Sequence, residues 1–138
     1  MRFMMIVKAT KDSEAGALPT EEQLADMAKH NEELVKAGVL LAGEGLQASS
    51  KGARVRFSGA KRTVIDGPFT ETKELIAGFW LIQAKSREEV VEWARRVPFE
   101  DGEIEVRQVL ELEDFGPGEA IQHHARLREQ IARRSAKP

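Results

Sequence analysis

No cysteine occurs in the chain, which excludes a disulfide framework, thiolate chemistry and a Cys-ligated zinc site. Charge of one sign is lacking too: at a net −2 there is no global field to recruit nucleic acid or an anionic membrane surface. No apolar run is long enough to span a bilayer, and the start, Met1 to Val7, lacks the core length and small-residue cleavage site of a signal peptide. A cytoplasmic protein with no membrane partner is expected. No H-x-x-x-H or C-x-x-C spacing appears, and the adjacent His123 and His124 face different sides of a helix, so no metal site is expected. Gly43-Glu44-Gly45 has no third glycine and no helix start behind it, so it is not a dinucleotide fingerprint, and no cofactor is expected. Internal repeats and low-complexity tracts are absent.

What is there describes an ordinary globular chain: 138 residues, 41% hydrophobic and 32% charged, enough for one domain. Its most informative stretch is Asp66 to Glu74 (DGPFTETKE), set between a strand pattern at Arg62–Ile65 and the apolar run Leu75–Ile82. Asp-Gly-Pro-Phe is a forced turn. Asp66 can accept from nearby backbone N–H groups, Gly67 permits positive φ, and Pro68 fixes its own φ. Asp66, Glu71, Lys73 and Glu74 then crowd a connection that a short neutral turn could have made.

Phe3 to Val7 reads as a first strand, apolar at every position, and Thr10 to Leu18 as a flexible connection. Thr20 and Gln23 form a capping box, and the helix behind them sets Leu24, Met27, Ala28, Leu34 and Val35 on one stripe until Gly38. Asn31 interrupts the centre of that stripe and His30 lies at its border. Val39 to Ala42 begins a second strand, which Gly43 to Leu46 bends through a bulge or a close backbone approach. Ala48 to Gly52 is a loop, and Arg54–Ser58 with Arg62–Ile65 reads as a hairpin, half-buried with its arginines outward. Ser86 and Glu89 form a second capping box for a helix ending at Pro98. Ile104–Leu112 alternates as an outer strand, and Glu119–Arg134 is a third, basic-ended helix behind Gly116-Pro117-Gly118. Leu75–Ile82 and Phe3–Val7 are apolar on both faces. Two helices cannot cover both, so a homodimer packed sheet to sheet is expected.

DGPFTETKELIAGFW, with NEELVKAGVLLAGEGL at Asn31–Leu46 and IEVRQV at Ile104–Val109, resembles the DGPF branch of the YCII-related family over Met1 to Gly116. The resemblance implies an α+β, ferredoxin-like split βαβ sheet with an inserted β-hairpin, paired into a dimeric α/β barrel. Residues 1–116 would be the family domain and 117–138 a C-terminal helical extension. It also implies a His–Asp pair with the histidine on the first helix, where His30 lies. The DGPF branch carries an aromatic ring at the His30 place, so a packing role stands beside the acid–base one.

For Asp66 the alternatives are a general base and a cap on its own turn. Glu71, Lys73 and Glu74 are either a charged rim or a solvated turn with Thr70 capping a short helical stretch. Lys73 is the cation that would suit an anionic substrate, or would pair with Asp66 or Glu44. Asn31 and Glu44 either reach into a pocket or tie elements together, and Phe69 and Trp80 would wall the pocket. The function expected is binding of a small molecule in a cleft between the first helix and the sheet, extending to cofactor-independent acid–base or isomerase-type chemistry. The alternative is a non-catalytic interaction or signalling module with a sigma-factor linkage and no direct nucleic-acid contact.

Overall fold

β1 (Arg2–Lys8) runs through the middle of a four-stranded antiparallel sheet, and its pairing sets the rest. The computed structural model describes residues 1–136, in two units, Met1–Gln108 and Val109–Pro138. In the first unit β1 is followed by α1 (Lys11–Glu14), α2 (Glu21–Lys36), β2 (Leu40–Gly45), the ribbon β3 (Ala53–Ser58) and β4 (Lys61–Asp66), β5 (Ile76–Gln83), α3 (Arg87–Arg95) and β6 (Ile104–Gln108). The order β2-β5-β1-β6 is that of a split βαβ sheet, and β3–β4 is a separate two-stranded sheet. Among the described residues no helix is long and apolar enough to cross a membrane.

Register decides which side chains share a face. Phe3 lies opposite Ile82 and Met5 opposite Trp80, and all four are buried beneath Leu34 of α2 and Val90 of α3. Met4 lies opposite Leu81 and Ile6 opposite Phe79, on the other face, where they stay half-buried. The sheet is thus apolar on both sides, while both long helices of this unit pack on one.

Local signals placed the helix starts. Thr20 and Gln23 close the reciprocal box that opens α2, Gln23 N–H donating to the Thr20 hydroxyl at 3.1 Å. At α3 the Ser86 hydroxyl caps the Glu89 N–H, but the Glu89 carboxylate accepts from Lys85 N–H. Thr10–Leu18 is not a plain connection. Thr10 and Ser13 form a box of their own and open the short helix α1.

Three expectations are corrected. The buried side of α2 is Met27, His30 and Leu34, with Leu24 and Val35 exposed, because the helix turns its histidine rather than its valine onto the tryptophans. The bulge in β2 falls at Leu41, ahead of the glycine pair. Of that pair only Gly43 serves close approach, since a Cβ there would stand 3.0 Å from Trp80 Cδ1 whereas one on Gly45 meets open space. Across the ladder, a Cβ on Gly78 of β5 would fall 2.8 Å from the Glu44 carbonyl oxygen. The outer strand stops at Gln108 because its partner β1 supplies no pair beyond Phe3. In the second unit Glu111 caps the 3-10 turn Leu112–Phe115, and α4 (Glu119–Ala136) follows Gly118.

Two adjacent substitutions separate the expected stripe from the observed one. Leu34→Ala should lower unfolding free energy by about 2–5 kcal/mol in urea titrations, and Val35→Ala by under about 0.5 kcal/mol. Equal losses would restore the stripe read from the sequence.

Candidate functional site

Beneath the sheet, α2 brings His30 and Asn31 against β5. Asn31 Oδ1 accepts from Trp80 Nε1–H at 2.9 Å, which ties helix to strand and satisfies a buried indole. His30 is 4% exposed and meets Trp80 and Trp93 edge-on, at 6.0 and 6.5 Å between ring centroids. Its Nε2 is buried with no hydrogen-bond partner. Burial holds the imidazole below its usual range, Glu33 opposing and Arg96 adding to the effect. The result is a neutral ring inside an aromatic cluster.

The Asp-Gly-Pro-Phe turn is built differently from expectation. Gly67–Pro68 is cis, and Gly67 is not in the positive-φ region. Glycine is required there for room, since a Cβ would fall 1.8 Å from the Ser49 carbonyl oxygen. Ser49 is the clip. Its N–H donates to Glu14 Oε2 at 2.9 Å, its hydroxyl donates to Glu14 Oε1, and the same hydroxyl accepts from Phe69 N–H at 3.0 Å. Those two bonds hold the Glu14 carboxylate below its ordinary value. Asp66 is exposed at the end of β4, and among the described residues no hydrogen bond or ion pair reaches its carboxylate. The capping role considered for Asp66 is filled by Ser49 and Glu14, which no local reading would have found.

Behind the turn, Arg54 of β3 lies over the Phe69 ring, 3.9 Å from its centroid. The 3-10 turn Thr72–Glu74 has Glu71, not Thr70, at its start, with no side-chain cap. Glu71 hydrogen-bonds the Glu74 carboxyl and repels its charge. Both effects push Glu74 above the usual carboxylate range, against the pull of Arg54 and Lys8. Lys8 pairs with Glu105 at 3.4 Å. With Lys73, Ala9, Gly102 and Glu103 it lines a hollow of about 280 Å³. Lys73 pairs with neither Asp66 nor Glu44 among the described residues. A larger open groove, about 530 Å³, lies between α3 and β6 and takes Val91, Ala94, Phe99 and Ile104 in its lining.

The seven candidate residues therefore fall into separate places. His30, Asn31 and Trp80 meet beneath the sheet. Glu44 lies opposite Phe79 and so belongs to the upper face. Asp66, Phe69 and Lys73 stand along the turn. The expected aromatic walls do not face each other: Trp80 contacts His30 and Phe99, whereas Phe69 contacts Arg54. The Glu71–Glu74 pair, expected as part of a charged rim or a solvated turn, is the close carboxylate contact of this turn. Its signal was there, two carboxylates three residues apart on a tight turn.

A family model described as the YCII-related domain matches residues 1–113. The chain belongs to the YCII-related family. A relative, an uncharacterized protein of Rhizobium meliloti (strain 1021), is 32% identical over 99 residues, covering 72% of this chain and 80% of its own. Among solved structures, this YCII-related chain is similar to 5-chloro-2-hydroxyhydroquinone dehydrochlorinase (TftG) from Burkholderia phenoliruptrix AC1100 in complex with 2,5-dihydroxybenzoquinone. That likeness has 16% identity and a TM-score of 0.40, over 80% of this chain and 94% of that one, and is too loose to carry an argument.

Gly67→Ala should cost about 1–3 kcal/mol in urea unfolding, since backbone rather than a flexible side chain must give way. A loss under about 0.5 kcal/mol would mean that the turn does not sit against Ser49. For His30 the folded value is depressed, so the unfolded chain takes up its proton first as pH falls. The stability it contributes is complete above its ordinary 6.5 and is lost as pH drops through the folded value. His30→Phe should flatten the fall in stability between about pH 7.5 and about pH 5. An unchanged fall would mean that His30 carries none of it, since carboxylates held low by their partners, such as Glu14 and Glu105, lose their contribution only below about pH 5.

Proposed function

We propose that this YCII-related chain is a small-molecule-binding protein that works as a homodimer, with its ligand on the upper face of the sheet at the end nearest the Asp66–Glu74 turn. One observation carries the reading. Met4, Ile6, Phe79 and Leu81 form a half-buried apolar floor on the side away from α2 and α3, and Lys8, Glu44 and Glu105 border it. A binding site needs such a floor and a few polar groups to fix orientation. A second copy laid over the floor would exclude water from it, which is the dimeric α/β barrel implied by the resemblance to the DGPF branch.

Cofactor-independent acid–base chemistry draws its support from Glu74. A carboxyl raised above its usual range by Glu71, with Arg54 and Lys8 as the charges opposing that shift, is a candidate for the proton-donor role. Asp66, Phe69, Lys73 and Glu44 are contact candidates at the same end. His30, Asn31 and Trp80 lie beneath the floor and position β5. In this reading residues 1–116 are the working domain and 117–138 an extension. The alternative, a non-catalytic module with a sigma-factor-linked partner, is favoured by the exposed Phe115 and Ile131 of the second unit, 61% and 64% accessible.

A metabolite-library thermal-shift screen on the full chain tests the reading. A ligand at a hundred times its Kd adds about 2.7 kcal/mol, which is several degrees at this size. The shift should vanish in Glu74→Gln and Lys8→Met while their own melting points stay close to that of the parent. Loss in Asp66→Asn as well would add that carboxylate to the site. Undiminished shifts in Glu74→Gln and Lys8→Met would place the ligand elsewhere and sink the proposal.

A further inference from the structure

Charge is segregated along this chain. Between Glu44 and Asp66 there is no Asp or Glu, and five cations occur: Lys51, Arg54, Arg56, Lys61 and Arg62. Of 21 Lys and Arg, that leaves 16 against 23 Asp and Glu elsewhere, a net −7 outside the segment. The segment is mostly the β3–β4 ribbon, and all six residues of β3 are exposed, not half-buried as the alternation suggested. Its faces are also reversed from expectation. Arg54 turns toward Phe69, while Val55, Phe57 and Val64, which share the other face with Arg62, are 51%, 68% and 66% accessible. A two-stranded ribbon is marginal in water by itself, and an apolar strip among cations has the composition of a contact surface.

A surface of matching length and opposite sign lies on α2. Glu21, Leu24, Ala28, Glu32 and Val35 recur at helical spacing on one exposed flank, beside the buried His30 and Leu34. Leu24 and Val35 are 51% and 62% accessible. From Glu21 to Val35 this stripe spans about 20 Å, the length of a six-residue strand.

We infer that the β3–β4 ribbon is a docking arm for a second copy of this chain, laid along the Glu21–Val35 flank of that copy's α2. Val55, Phe57 and Val64 pack on Leu24, Ala28 and Val35, and Arg62 faces Glu32, displacing the Lys36 that pairs with it at 3.3 Å. The inference rests on the homodimer reading and names which surfaces complete it. In a two-fold pair the contact is made twice, so each side-chain change counts twice. A nucleic-acid backbone would match the cations but leave three apolar side chains wet, so the composition favours protein.

Sedimentation equilibrium of the full chain tests it, with Phe57→Ser, Arg62→Glu, Glu32→Lys and the double variant Arg62→Glu/Glu32→Lys. Each single change should weaken the dimer by about tenfold or more, and the double variant should regain most of the loss. All substituted positions are exposed, and circular dichroism reports that the fold is kept. Recovery in the double variant is a result that damage to the ribbon alone would not give. A parent dimer whose Kd is unmoved by Phe57→Ser and Arg62→Glu keeps the homodimer and overturns the arm. A parent that stays monomeric at tens of micromolar overturns both. Absence of recovery in the double variant overturns α2 as the docking site. Retardation of a short DNA duplex at physiological salt, lost in Arg62→Glu, overturns the inference in favour of nucleic acid.

Discussion

The pairing of β1 with β5 is the contact on which the rest of the first unit leans. It buries Phe3, Met5, Trp80 and Ile82 under two helices, and it lifts Met4, Ile6, Phe79 and Leu81 to the opposite face. Slipping a strand by one residue usually exposes a hydrophobic set, which makes register self-correcting. Here both faces are apolar, so that penalty is weak. Shape and polar satisfaction do the pinning instead. Trp80 fits only over Gly43, its indole N–H needs Asn31, and β2 passes close only because Gly78 has no side chain.

A sheet with that pinning is also a partition. Groups that look like neighbours in a list of polar residues are sorted by parity onto two sides. Asn31 and His30 come from α2 and can meet only the lower face, while Glu44 sits on the upper face beside Phe79. The imidazole is therefore isolated by an apolar cluster, with its charge suppressed by desolvation. The carboxylates that repel each other, Glu71 and Glu74, stand instead in the turn ahead of β5.

That turn shows how a distant contact can override local chemistry. The Asp-Gly-Pro-Phe stretch has everything needed to fold on itself, yet it is held by Ser49, which is itself held by Glu14 of α1. Three segments far apart in the chain meet there, Ser49 and Gly67 at backbone distance and Glu14 through its carboxylate. Gly67 is in place to let them approach. The same junction brings the base of the ribbon to the turn through Arg54 and Phe69, which links the basic arm to the end of the sheet where the polar groups collect.

The capping box at Thr20, the helix cap at Ser86, the apolar runs of β1 and β5, and the hairpin between Gly59 and its flanking strands were legible because each depends on residues within a turn or two of one another. The short helix α1 was missed, since its Thr10–Ser13 box lacks the Glu or Gln that marks such a start. Periodicity placed an apolar stripe on α2 but not its centre, because which flank is buried is settled by the two tryptophans it meets. The same limit reversed the ribbon: alternation says that two faces differ, and only neighbouring elements say which one stays wet. What the sequence determined by itself is the strands and the long helices, the lack of one-sided covering for the sheet and the uneven placing of charge. The tertiary structure alone decided the clip at Ser49, the end of β6 and the sorting of candidate residues onto opposite faces, because each arises from contacts between segments whose separation along the chain carries no local signal.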